Sequence, residues 1–348
     1  MPPSAPAGPT AFHVVLPKLT LARALEGIKV SADGRTVERR QGIGLPLARQ
    51  LIEVSAAVRR SLKVAMGGGR SYFVPATHGG APVFDAEYPT TRGRRADGRD
   101  LTAEWLASRG PAAAYVWKQS QLAAIDTQRT SHLLGLFEPS HMQYEADRSR
   151  DGAGEPSLTE MTAKSLQMLG KDRKGYFLHV EGGRIDHGHH AGNAQRALLE
   201  TIEFAKAVRY AMDHTDAKDT LIIVTADHSH TFTIAGQPSR GNPILGLVRE
   251  VPATDGAALV PAQDANGLPY TTLGYANGPG YRAGGRPDLT RVDTTGLDFL
   301  QEATVPLGSE THGGEDVAIF ARGPGSHWVR GSMEQNWIFH VMRRALGL

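Results

Sequence analysis

The chain has 348 residues, 40% apolar and 21% charged, with a formal net charge of +2 and no cysteine, enough for one large α/β domain or two smaller ones. So balanced a charge gives no field for nucleic acid or an acidic membrane, and without cysteine there are neither disulfides nor thiolate metal sites. That absence fits a reducing compartment and is compatible with export. No apolar run of about 18 residues, no apolar core behind a basic start and no hydrophobic tail occurs, so a membrane span, a signal peptide and a lipid anchor are not expected. In chain order, 2–17 reads as a loose lead-in, 45–59 as an amphipathic helix, and KVAM at 63–66 as a short strand running into Gly67, Gly68 and Gly69. A glycine triplet permits close backbone approach, but without the spacing and lysine of a Walker motif it is weak evidence for a phosphate loop. After turn-rich residues 78–98, 101–108 looks helical. Ser157 and Glu160 have capping-box spacing at the head of a helix over 156–170, whose stripe includes Leu158, Met161 and Leu169.

YFLHV at 176–180 reads as a buried strand, 192–213 as a helix buried along Leu198, Ile202, Ala205, Val208 and Met212, and TLIIVT at 220–225 as another strand. Residues 231–311 are loop-rich and read as an insertion over one edge of the core; DVAIF at 316–320 returns to the sheet, and a last helix follows the capping spacing of Ser332 and Gln335. The alternation predicts an α/β fold with a mostly parallel central sheet covered by helices on both faces. We expect an atypical segment over 1–60 and an α/β metal-binding domain over 61–348.

The strand at 176–180 leads into EGGRIDHGHH, and that at 220–225 into DHSH at 227–230. Charged groups at such exits must be solvated, paired or bound to something. Asp186 and His190, four apart, share a face if the segment is helical. Asp227, His228 and His230 fall at the carboxyl edge of the presumed sheet, where α/β folds place ligands. His312, near the next strand, adds a third donor. Such an oxygen and nitrogen set suits zinc, while Glu181 suits magnesium. His187 and His189 either support these ligands or face solvent.

VEGGRIDHGHH at 180–190, VTADHSH at 224–230 and THGGEDVAIFARGP at 311–324 resemble the three metal-binding signatures of the alkaline phosphatases, the animal type in particular. The resemblance extends through GGGRSYFVP at 67–75, AEYP at 86–89, TSHLLGLFEP at 130–139, YANGPGY at 275–281 and RGSMEQNWIFHVM at 330–342. It implies that Asp186, His190 and His312 hold one zinc, that Asp227 and His228 contribute to a second, that His230 is either a ligand or stands beside one, and that Glu181 binds magnesium. It further implies calcium at Glu87, the Phe137 carbonyl and Glu138, with Glu155 where the family carries an aspartate. Phosphate monoesters as substrates, a homodimer and secretion or surface anchoring follow from the same resemblance; no nucleic acid and no membrane segment are expected.

The family's nucleophilic serine lies in an Asp-Ser-Ala type signature, and no Asp-Ser pair occurs in these 348 residues. Neither the early Gly-Asp-Gly-Met-Gly type signature nor the motif carrying the phosphate-clamping arginine is found. Residues 27–44 only weakly resemble the stretch that follows the nucleophile. The first strand region is therefore expected to be missing or altered. Three readings stay open: a phosphomonoesterase, a catalytically silent metal-binding homologue that acts through dimerisation, and a truncated subunit.

Overall fold

The computed structural model describes residues 12–16, 28–30, 37–39, 47–252, 254 and 257–347. Of the lead-in expected over 2–17, only 12–16 lies among them. The chain divides into two compact units, one of 1–182, 203–216 and 342–348, the other of 183–202 and 217–341.

In the first unit, β1 (Phe12–Leu16), β2 (Val64–Gly67), β3 (Ala113–Val116), β4 (His132–Leu136) and β5 (Phe177–His179) form one parallel sheet in the order β3-β4-β2-β1-β5. Between missing and altered, the first strand region is thus altered: β1 stands between β2 and β5, with Val14 opposite Ala65 and Phe12 opposite Phe177. β2 and β4 are buried on both faces because their apolar side chains point alternately to either side. Val64, Met66 and Leu133 join Leu122, Met161 and Met168 in one core cluster. Ala65, Leu134 and Leu136 join Ala48, Ile52, Leu101 and Trp105 in another. The first face is covered by α4 (Gln119–Ala124) and α5 (Leu158–Leu169), the second by α1 (Leu47–Ile52) and α3 (Leu101–Arg109).

The helix expected over 45–59 is two short ones, α1 and α2 (Ala56–Ser61), because Ser55 caps a new start by accepting from the Val58 N–H. The box at Ser157 and Glu160 forms as its spacing predicts. The glycine triplet serves packing: a Cβ on Gly68 would lie 2.2 Å from the Ser140 carbonyl oxygen, and Gly69 takes φ +88°. That close approach lets the Gly69 and Arg70 N–H groups donate to the carbonyls of Ser140 and Glu138.

The second unit contains α6 (Arg184–His190) and the first part of α7 (Ala194–Asp213). Its β6 (Ile222–Thr225) pairs antiparallel with Ile319–Arg322, Val224 opposite Phe320. The expected return of 316–320 to the parallel sheet is therefore a separate antiparallel ladder. Within the loop-rich stretch, β7 (Ser229–His230) pairs with β11 (His312–Gly313), and β8 (Phe232–Ile234), β9 (Leu273–Gly278) and β10 (Ala303–Pro306) form a three-stranded sheet. Along α7 the buried positions are Ala194, Ala197, Glu203 and Ala207, whereas Ile202 is exposed, so small side chains rather than the predicted branched ones mark the covered stripe. The last helix, α8 (Trp337–Ala345), starts after the expected Ser332 box.

Candidate metal centre

Two short elements of the second unit build a cluster of imidazoles around one carboxylate. On α6, Asp186 and His190 stand one turn apart, and the His190 Nε2 lies 3.1 Å from Asp186 Oδ1. Gly188 lets this helix lie tight against α7, since a Cβ there would be 2.7 Å from the Ala197 nitrogen. On the β7–β11 ladder, His230 and His312 are directly opposed, and their Nε2 atoms each lie 3.3 Å from the same oxygen. His228 Nε2 is 3.9 Å from it, with the His228 and His312 rings stacked at 3.5 Å.

The electrostatics of this arrangement are unusual for a bare protein. Asp186 Oδ1 is buried without a hydrogen bond of good geometry, yet it faces four imidazole nitrogens. Burial works to raise its pKa, but His230, His190 and His312 outweigh that and hold the carboxyl at about 2. For His312, burial and then the neighbouring His228 lower the pKa. His190 Nδ1 meets the Glu310 carbonyl at 2.5 Å; a carbonyl only accepts, so this nitrogen carries a proton, and Nε2 is the nitrogen turned toward Asp186. His312 Nε2 lies 3.2 Å from His190 Nε2. Imidazole nitrogens that converge on one buried carboxylate oxygen are what a dication with nitrogen and oxygen ligands would satisfy.

Asp186, His190, His228, His230 and His312 are thus brought together. Asp227 is not among the groups that converge: its side chain is 83% exposed and reaches His228 Nε2 at 3.6 Å. His187 is buried and His189 half-buried, so neither faces solvent, and His189 packs against the cluster. Arg184 Nη1 lies 2.7 Å from the Nδ1 of buried His187. His189 bonds the Tyr275 hydroxyl at 2.9 Å and stacks on His230 at 4.6 Å; burial, reinforced by His230, pulls its pKa down to about 4. Glu310, absent from the sequence reading, is buried at the centre's edge and lies 2.7 Å from His230 Nδ1. Glu181 stands in the first unit, just past β5.

The acids expected to bind calcium fall in the first unit. There Glu87, Glu138 and Asp151 come within metal-ligand reach of one another, tied by the Tyr88 hydroxyl, which lies 2.9 Å from Glu138 and 3.1 Å from Asp151. Burial pushes the Glu138 carboxyl up to about 7, with the charges of Glu87 and Asp151 adding to the rise. Phe137 is fully buried beside them in sequence. Glu155 is buried too, with Oε2 lacking a hydrogen bond, and burial, then Glu138 and Asp151, push its pKa up to about 8. Asp151, which the sequence reading did not name, joins Glu87 and Glu138. Register to Pro156 points to Glu155, and the fold of 147–155 adds Asp151 beside Glu87 and Glu138.

The alkaline phosphatase family model matches residues 33–348. The chain is 45% identical over 307 residues to the tissue-nonspecific alkaline phosphatase isozyme of Gallus gallus, covering 86% of this chain and 55% of that protein. Against the Homo sapiens isozyme it is 43% identical over 293 residues, 82% of this chain and 52% of that protein. The chain therefore spans about half the length of the curated relatives it matches. Its fold is like that of Thermus thermophilus alkaline phosphatase, with TM-score 0.60 and 22% identity over 97% of this chain and 71% of the other. The chain belongs to the alkaline phosphatase family.

Proposed function

We propose that phosphate-monoester hydrolysis is the reaction of this chain, with zinc held at the histidine cluster. The observation that carries this reading is the convergence of His190, His228, His230 and His312 on one buried oxygen of Asp186. Asp186, His190 and His312 would hold one zinc, with His230 and His228 beside it and Asp227 available to a second ion; Glu181 would take magnesium. Bound zinc would supply a Lewis acid that stabilises phosphoryl charge. The chain's own contribution is orientation and proton placement: His190 keeps its proton on Nδ1 against the Glu310 carbonyl, leaving Nε2 free to ligate. Glu87, Glu138 and Asp151 would form a calcium site that ties the 78–98 loop to the segment after β4. Pairing into a homodimer belongs to the same proposal.

A metal-binding homologue without turnover is the second reading, and the lack of any Asp-Ser pair favours it. Hydrolysis of a chromogenic phosphate monoester with zinc and magnesium supplied, alongside zinc titration, separates the two. Turnover that depends on His312 supports the first; stoichiometric zinc with no turnover supports the second. Protein that binds no zinc at all would sink both.

A further inference from the structure

Glu310 touches two of the clustered histidines by two different routes. Its carboxylate is fully enclosed. One oxygen lies 2.7 Å from His230 Nδ1, and the other accepts from the Thr231 N–H at 2.6 Å and the Thr231 hydroxyl at 2.8 Å. Its main chain meets His190 twice: the Glu310 N–H donates to the His190 carbonyl at 2.9 Å, and the His190 Nδ1–H donates to the Glu310 carbonyl at 2.5 Å. Three donors on one carboxylate compensate its burial. Both rings are thereby held at Nδ1, and both turn Nε2 toward Asp186.

We propose that Glu310 is a positioning residue which sets the tautomer and the aim of two histidines, His230 through its side chain and His190 through its main chain. The inference rests on the reading of the cluster as a metal centre, but its first consequence does not need a metal. A neutral imidazole has one proton to place. A carboxylate at Nδ1 holds a proton there, so Nε2 is the nitrogen free to ligate once a cation stands beside Asp186, whose oxygen can otherwise accept from Nε2 itself; the same logic applies to a carbonyl at the Nδ1 of His190. The two routes separate on substitution. In Glu310→Gln the side-chain oxygen still accepts from Thr231, and the amide then presents an N–H to His230 Nδ1. That nitrogen must now accept, so the ring keeps its proton on Nε2 alone, where it blocks ligation. His190 keeps its tautomer because the main chain is unchanged.

The test is nitrogen-15 NMR of the histidine rings, on the metal-free and the zinc-loaded protein, together with zinc affinity by chelator competition. In the wild type, both His230 and His190 should carry the proton on Nδ1. In Glu310→Gln, His230 should switch to the Nε2–H form while His190 does not, and zinc affinity should fall about 10- to 100-fold. A wild-type His230 protonated on Nε2 alone, or a variant in which His230 is unchanged and zinc affinity is retained, would overturn the proposal. If Glu310→Gln does not fold, Glu310→Asp and the wild-type spectrum still decide: aspartate keeps the acceptor and should keep the Nδ1–H form. A protein with the expected tautomers that binds no zinc would count against the proposed function and leave the role of Glu310 standing.

Discussion

Removing the Asp186 carboxylate should undo the centre more completely than removing any one imidazole, because four rings share it as a neighbour. Asp186→Ala and His312→Ala should each lose a zinc equivalent in titration of the purified protein; equal stoichiometry in wild type and both variants would remove the claim. At the acid cluster of Glu87, Glu138 and Asp151, calcium should raise the melting temperature by mass action, by about 3 kcal/mol of stabilisation at a hundredfold excess over Kd. Asp151→Asn should abolish that gain and Glu155→Gln should leave most of it, since Asp151 is the acid grouped with Glu87 and Glu138. The histidines of the centre were legible in the sequence because they crowd the exits of two apolar strands and because Asp186 and His190 keep helical spacing. Glu310 was not. It reaches His230 across 80 positions through a ladder that no local pattern announces.

Elements were most legible where a cap or an alternating apolar pattern marks them. Ser157→Ala removes the hydroxyl that accepts the Glu160 N–H, and should cost about 1 kcal/mol in urea unfolding; no change would argue that core packing alone fixes the start of α5. Ser55 was missed inside a longer amphipathic run because apolar periodicity continues across the break between α1 and α2. A second test concerns His132, the buried first residue of β4, which bonds Arg60 across the strand edge and Ser131 beside it. Burial, with Lys63 nearby, lowers its pKa to about 4 from an ordinary 6.5. The unfolded chain takes up this proton first. The contribution to stability is therefore full above pH 6.5, falls as pH drops toward 4, and is bounded at roughly 3 kcal/mol. Relative to wild type, His132→Gln should lose less stability between pH 7 and pH 4; parallel curves would show that the ring does not titrate as its burial implies.

At the scale of the whole molecule, the parallel sheet and its covering helices agree with the family. The strand β1 was not legible because 12–16 sits in a stretch without the family's signatures, although it pairs on both sides, between β2 and β5. The serine signature, the other feature of that region, has no counterpart, since no Asp-Ser pair exists in the sequence. Nucleophile, metal centre and phosphate clamp act as a unit in such enzymes, and losses within a unit are not compensated by what remains. Turnover of a chromogenic phosphate monoester by this chain, with zinc and magnesium supplied, should therefore fall orders of magnitude below that of the Gallus gallus isozyme. Whatever hydrolysis persists should proceed by direct attack of water, without a phosphorylated serine and without phosphate transfer to added alcohols through a covalent intermediate, and His312→Ala should abolish it. The assay runs from neutral to alkaline pH, with acid quenching and mass spectrometry to look for the phosphoenzyme. Turnover comparable to that isozyme, together with a trapped phosphoserine, would show that another serine of this chain has taken the nucleophile's place.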